Sequence, residues 1–285
     1  MYTARIRNRG GEILTLSGNE TEFQIVSIIG LSPPPAQINL TPLAGMDGGT
    51  FNTSKIQTRN IVITLRIRGD AEKNRLTLYR FFKTKELCRF YFQNESRSVY
   101  TDGYVETSEV NLFGLGQTMQ ISVICPNPFF QSEDVSETEI TESIPLFSFP
   151  FAINEGEPVP FSSLSDDGTL VTNLSEAETG AVFTINFTNA VSVVEIMNAG
   201  TGEKLTLRYS FRTGDTVTVD THRGRKSVTL LRLGAARNLF SALDISSAFL
   251  QLDAGPNFFS YSADGVEYNP AVSVTLTYTP EYRGV

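Results

Sequence analysis

Residues 61–67 read Ile61-Val62-Ile63-Thr64-Leu65-Arg66-Ile67. Ile61, Ile63, Leu65 and Ile67 fall on one side of an extended chain and Val62, Thr64 and Arg66 on the other, the period of two expected of a strand with one buried face. Met119, Ile121, Val123 and Cys125 repeat the pattern opposite Gln120 and Ser122. It returns in Phe183, Ile185 and Phe187, in Leu205, Leu207, Tyr209 and Phe211, and in Val272, Val274, Leu276 and Tyr278. Each apolar set needs a facing sheet. A chain of 285 residues can bury about two cores. The expectation is a mostly β protein made of two β-sandwich domains.

One segment departs from the period of two. Leu78, Phe81, Phe82 and Lys85 fall at helical spacing, with Leu76 and Tyr79 alongside, and Asp70 stands where a side chain can accept from the first exposed amides. This predicts a helix over about residues 70–85 in the first domain. Its outer face would carry Lys73, Arg80 and Lys83, close to a C-terminus that favours cations. A solvated helix face is the plain reading of these three charges, and a protein interface is the specific one.

The run Cys125-Pro126-Asn127-Pro128-Phe129-Phe130 marks a boundary, because two prolines remove amide donors and force extended geometry. Gln131 to Ser143 is polar and acidic and shows no clear period. The expected organisation is a first domain over 1–130, a linker over 131–144 and a second domain over 145–285, with a weaker break at Glu155-Gly156-Glu157-Pro158. No internal repeat of 20 to 50 residues is evident.

Composition limits the chemistry. One histidine, His222, and two cysteines, Cys88 and Cys125, cannot supply a zinc or haem site, a His-based triad or a disulfide scaffold. Both cysteines lie in apolar strand-like runs, where an inert buried thiol is expected. No Walker sequence, nucleophile elbow or dinucleotide fingerprint occurs. Gly114-Leu115-Gly116 has no helix after it and reads as a hairpin turn. The tight carboxylate pairs, Asp166-Asp167-Gly168 and Glu155-x-Glu157, sit in polar turn-like sequence rather than across a buried cleft. His222, within Asp220-Thr221-His222-Arg223-Gly224-Arg225, reads as an exposed hairpin tip with no buried partner. Tyr261 and Tyr268 could form a sugar-stacking platform, but tyrosines at the edge of a core are the plainer reading. The expectation is a protein without catalytic residues, cofactor or metal, hence not an enzyme.

Charge is unevenly placed. Residues 1–130 carry 14 Lys/Arg against 11 Asp/Glu, and residues 131–285 carry 9 against 20. Residues 55–97 hold 11 basic and 4 acidic residues, whereas the 106 residues from 98 to 203 hold 16 acidic residues and no Lys or Arg. Phosphate backbones are gripped by cations, so a specific nucleic-acid partner is not expected. The basic segment of one copy could instead meet the acidic segment of the next, giving head-to-tail association its register. Met1 to Arg7 has no apolar stretch of signal-peptide length and nowhere do 18 apolar residues run together, so neither export by a signal peptide nor a membrane span is expected.

Taken in order, the landmarks resemble the distal tail proteins of long-tailed bacteriophages, in the phage tail-component family. In the first domain these are Ile29-Gly30-Leu31, Asp47-Gly48-Gly49-Thr50-Phe51, Arg59 opening a strand, the helix bearing Arg75, Gly103-Tyr104-Val105-Glu106 and Pro126-Asn127-Pro128-Phe129-Phe130. In the second they are Asn198-Ala199-Gly200, Gly214-Asp215 leading to Asp220-Thr221, and Gly255-Pro256-Asn257. At Asp253-Ala254-Gly255-Pro256-Asn257 the family more often has Pro before Gly. The resemblance implies an N-terminal β-sandwich with a helix that closes into a sixfold ring and a galectin-like C-terminal sandwich that projects outward. It implies a homohexamer as partner to the tail tube protein, the tape-measure protein, a tail-tip or tail-associated lysin protein and a receptor-binding protein. It also implies a place in the virion, at the distal end of the tail, after synthesis in the host cytoplasm. The expected function is thus a structural hub of a tail tip or baseplate. A carbohydrate-binding protein for host cell-wall polysaccharide is the alternative, and a glycan hydrolase comes third.

Overall fold

The computed structural model describes residues 3–16, 22–112, 116–141, 143–145, 162–164 and 168–285. The chain divides into two compact units: Met1–Glu133 together with Glu281–Val285, and Asp134–Pro280. It is mostly β, as the alternation predicts, with one α-helix among the described residues.

Unit 1 contains β1 (Thr3–Arg7), β2 (Ile13–Leu16), β3 (Phe23–Ile29), β4 (Ala36–Pro42), β5 (Gly49–Ile56), β6 (Arg59–Ile67), α1 (Ala71–Phe81), β7 (Leu87–Gln93), β8 (Ser98–Asn111), β9 (Thr118–Cys125) and β10 (Phe130–Ser132). One antiparallel sheet runs in the order β2-β1-β7-β8-β9-β6-β3, with β10 added on β8. Every strand of that path contributes to a single buried cluster: Ile6, Leu16, Phe23, Ile61, Ile63, Phe90, Val99 and Ile121 among others. A sheet can do this only by wrapping around the core it fills. The register sets Ile63 opposite Ile121 and Ile61 opposite Val123, so the two alternating segments read in the sequence are neighbours with their apolar faces together.

The helix starts where expected and stops earlier. Asp70 caps it, its carboxylate accepting from the Lys73 amide at 3.2 Å. Leu78, Phe81 and Phe82 are buried against the sheet. Burying two consecutive phenylalanines takes the chain off the helical path, and Lys85 turns it back with φ +68° while its amide reaches the Val105 carbonyl. Lys83 and Lys85 therefore lie beyond the helix, not on its outer face.

Unit 2 contains β11 (Ser136–Ile140), β12 (Ser143–Pro145), β13 (Ser162–Leu164), β14 (Thr169–Asn173), β15 (Thr179–Gly180), β16 (Val182–Phe187), β17 (Val191–Asn198), β18 (Lys204–Phe211), β19 (Thr216–Asp220), β20 (Ser227–Arg232), β21 (Ala235–Asn238), β22 (Gln251–Leu252), β23 (Gly255–Ala263), β24 (Val266–Glu267) and β25 (Val272–Tyr278). Two antiparallel sheets, β11-β25-β16-β19-β20-β21 and β14-β23-β17-β18, supply the layers of a sandwich. Phe183 and Ile185 of one meet Phe259 and Ile196 of the other in one cluster. The Phe183 and Phe259 rings pack edge to face at 5.8 Å, and Phe187 stacks on Phe211 at 4.3 Å.

The segment expected to be a linker, 131–144, is structured at both ends. Phe130–Ser132 pairs with β8 and with β26 (Glu281–Tyr282), and Ser136–Ile140 pairs along its length with β25. Glu137 and Glu139 face solvent while Ile140 is buried. The strand alternation is present there, but acidic outward residues hide it. The chain also returns to unit 1 for its last five residues, which composition does not reveal.

Candidate functional site

The arrangement around Arg59 fixes the geometry of unit 1. Arg59 is 2 % exposed at the start of β6, and among the described residues no carboxylate pairs with it. Its Nε donates to the Pro128 carbonyl at 2.8 Å, Nη1 to the carbonyls of Ser32 at 2.8 Å and of Gly30, and Nη2 to the Arg283 carbonyl at 2.6 Å. The guanidinium also lies 4.2 Å from the centre of the Phe130 ring. Burial lowers its proton affinity, yet an arginine stays charged. One cation thus ties the turn after β3, the exit strand β10 and the returning C-terminal segment. Gly30 sits in this knot with φ +95°, and a Cβ there would fall 2.1 Å from the Asn60 carbonyl oxygen.

Directly after that knot the chain leaves the body of unit 1. Pro33-Pro34-Pro35 leads into β4 and β5, which pair only with each other among the described residues. Every residue from 35 to 55 is exposed. The arm nevertheless carries Ile38, Leu40, Leu43, Met46 and Phe51, each 41 % to 69 % exposed. Leu40 and Phe51 face each other across the pair. An apolar hairpin projecting from a folded body leaves apolar surface that its own unit does not cover. Sequence reasoning singled out Asp47-Gly48-Gly49-Thr50-Phe51 as a landmark and missed the arm itself. The available signal was a strand-like run with apolar residues, bounded by three prolines and a glycine-rich turn.

At the foot of the arm an apolar cavity of about 470 Å³ opens. Ala4, Ile25, Ile28, Leu31, Phe92 and Val285 line it, with Ser32 and Pro33 on the side from which the arm departs. Val26 and Ile29, also on β3, are more than half exposed beside it.

The three candidate interface residues are exposed. Lys73 and Arg80 lie on the outer face of α1, where Arg80 Nε reaches only the Leu76 carbonyl of its own helix at 3.4 Å. Lys83 stands after the helix, 3.8 Å from Glu86. Arg75 packs over Tyr79 and reaches Glu72 at 3.6 Å.

Several other titratable groups among the described residues are engaged in holding the fold. His222 is not an exposed tip: its side chain is 13 % exposed, and Nδ1 meets Asp220 Oδ1 at 2.6 Å. The same oxygen accepts from the His222 amide at 2.9 Å, so the partner lies two residues back and closes a turn. Arg223 and Arg225 form the exposed part. Asp215 is buried and accepts from Arg232 at 2.8 and 2.5 Å and from the Arg212 amide, which holds its carboxyl below the usual carboxylate range. Cys88 and Cys125 are buried and free, and burial pushes both thiols up to about 11. Tyr261 and Tyr268 pack edge to face at 5.4 Å, and the Tyr261 hydroxyl donates to the Val272 carbonyl, so neither offers a flat platform. Among the described residues no cluster of His, Cys, Asp and Glu could hold a metal, and no helix is long and apolar enough to cross a membrane. Gly114 and Leu115, Glu155 and Glu157, and Asp166 and Asp167 lie outside the described residues.

Comparison with known proteins points one way. Residues 174–282 match the family model of the siphovirus-type tail component, C-terminal domain. The distal tail protein of Bacillus phage SPP1 is 23% identical over 243 residues, covering 83% of this chain and 85% of that protein. The crystal structure of the SPP1 Dit protein, described as a paradigm of the hub adsorption apparatus of phages infecting Gram-positive hosts, superposes with a TM-score of 0.69 at 18% identity, covering 98% of this chain and 99% of that one. A chain of the activated, Ca-bound phage P2 baseplate covers 97% of this chain and 98% of its own at a TM-score of 0.51 and 13% identity.

Proposed function

We propose that this chain, whose residues 174–282 match the siphovirus-type tail component model and which is similar to a phage distal tail protein, is the structural hub of a tail tip or baseplate, closing as a ring of six copies. The single observation that carries the ring is the arm: 21 consecutive exposed residues, 35–55, with five large apolar side chains that the chain's own body leaves uncovered. A specific interface takes about 20 to 30 residues a side, so the arm alone supplies nearly one face of such a contact. A contact between the arm and a different surface of the next copy is head to tail, and head-to-tail contacts close into rings or run on as filaments. The copy number follows the sixfold ring that the family resemblance implies.

In this reading unit 1 forms the ring, and Lys73, Arg80 and Lys83 lie at or beside a protein interface. Unit 2 presents its sandwich to peripheral components. The partners are the tail tube and tape-measure proteins on one side and the tail-tip, tail-associated lysin or receptor-binding proteins on the other, at the distal end of the virion tail. Among the described residues, His222 and Asp215 are bound up in a turn and an ion pair and both cysteines are buried, as suits a scaffold. Gold-labelled antibody against this chain, applied to virions of the phage that encodes it, is expected to decorate the tail tip. Decoration of the head or tail shaft, or virions that lack the chain, would contradict the reading.

A further inference from the structure

Glu281–Val285 belongs to unit 1, although the whole of unit 2 stands between it and the rest of that unit in the chain. It forms a strap over the root of the arm. The Arg283 carbonyl accepts from Arg59, whose guanidinium also holds the carbonyls of Gly30 and Ser32. The Val285 amide donates to the Leu31 carbonyl at 3.1 Å. A Cβ on Gly284 would lie 3.2 Å from that same oxygen and 3.4 Å from Pro33 Cδ, so the strap's backbone rests on the residues from which the arm departs. Gly284 and Val285 also form part of the cavity wall. The root of the arm is thus held by a segment that the chain supplies only after unit 2.

Two pairings decide when the strap can dock. In unit 1, Gln131 stands opposite Glu281 and Phe130 opposite Tyr282. In unit 2, Ser136 stands opposite Tyr278 and Glu137 opposite Thr277. While unit 2 is unfolded, the strap closes a loop of roughly 150 residues; once β11 has paired with β25, the free part shrinks to roughly six, and loop entropy favours closure on the order of a hundredfold more. The sheet of unit 1 has no such dependence, because its path β2-β1-β7-β8-β9-β6-β3 draws only on strands that precede unit 2. We propose that the strap is a latch set by unit 2: the body of unit 1 forms by itself, and the arm root and cavity take their final shape only when unit 2 has folded. Presentation of the arm is then conditional on an intact second unit, whatever molecule the arm meets. The latch does not rest on the ring reading.

Hydrogen exchange of the full chain along a urea series tests the latch, because an amide released by a partial opening takes on the denaturant slope of the surface that the opening exposes. The Val285 amide is expected to open together with the amides of β16 in unit 2, at lower urea than those of β1 in unit 1. Ile185→Val trims a fully buried side chain of unit 2 and should speed exchange at Val285 and in β16 by the same factor, about fivefold, with β1 unchanged. Val285 exchange that ignores this substitution, or one common transition for β1, β16 and Val285, would overturn the proposal. A chain lacking residues 281–285 gives the second measurement. Trypsin should cut after Arg59 about tenfold faster in it than in the full chain, while β1 stays protected. Equal cutting after Arg59, or loss of protection in β1, would overturn the latch as well.

Discussion

Arg59 donates a hydrogen bond to the carbonyl oxygen of Arg283 at 2.6 Å, joining the first strand-opening landmark to the last residues of a chain that has meanwhile built a whole second unit. The other bonds of the same guanidinium reach Gly30, Ser32 and Pro128. Unit 1 is therefore closed around one cation whose hydrogen bonds go to backbone carbonyls and whose face lies over the Phe130 ring, and that closure positions both the arm and the cavity.

Arg59→Met should leave four partly buried carbonyls without their donor and cost about 1 to 3 kcal/mol. Arg59→Lys keeps the charge but cannot match a planar fork that serves four acceptors, and should recover only part of the loss. Chemical denaturation that gave equal stability for all three proteins would contradict this.

Gly30→Ala places a methyl group against the Asn60 carbonyl at a residue with φ +95°. Unit 1 should lose about 1 to 3 kcal/mol. The mutant should also show faster exchange of amides in β3 and β6, read by hydrogen exchange.

Acid should weaken unit 2 through Asp215. Its folded-state proton affinity is depressed, chiefly by the hydrogen bonds from Arg232. The stabilisation is therefore fully present above the unfolded carboxylate value of about 3.9 and is lost as pH falls from there through the lower folded value. Melting followed from pH 6 to pH 2 should show this decline, and a part of it should vanish in Asp215→Asn, which is less stable at neutral pH.

Arg80→Glu combined with Lys83→Glu reverses two exposed charges that make only local contacts. Folding should be nearly unaffected, while assembly at low salt weakens and the defect shrinks as salt is added. Unaltered assembly at low salt with a normal melting temperature would remove these residues from the interface.

Thiol titration gives an independent check on the core. With both pKa values near 11 and both side chains buried, Cys88 and Cys125 should resist maleimide at pH 7 until the protein unfolds. Rapid labelling of the native chain would contradict the packing of β7 and β9.

Much of this fold was legible because a half-buried strand writes its orientation into alternate residues. Ile61 to Ile67 and Met119 to Cys125 were readable as strands, and they pair side by side in one sheet with their apolar residues on the same face. What stayed hidden did so for physical reasons. Arg59 binds backbone oxygens, which leave no trace in the identity of residues 30, 32, 128 and 283. Glu137 and Glu139 made β11 read as polar linker although their outward positions are ordinary for an edge strand. The arm buries neither face, so its apolar residues follow no core period. His222 was misread as an exposed tip because its partner, Asp220, lies only two residues away in a turn.

Light scattering on the purified chain beside a Leu40→Asp, Phe51→Asp variant of the arm tests the central claim most directly. The account predicts a species of about 188 kDa, six times 31.4 kDa, for the unmodified chain, and a monomer with an unchanged melting temperature for the variant. A 31.4 kDa monomer at every concentration, or a hexamer that forms equally well with the arm altered, would contradict it.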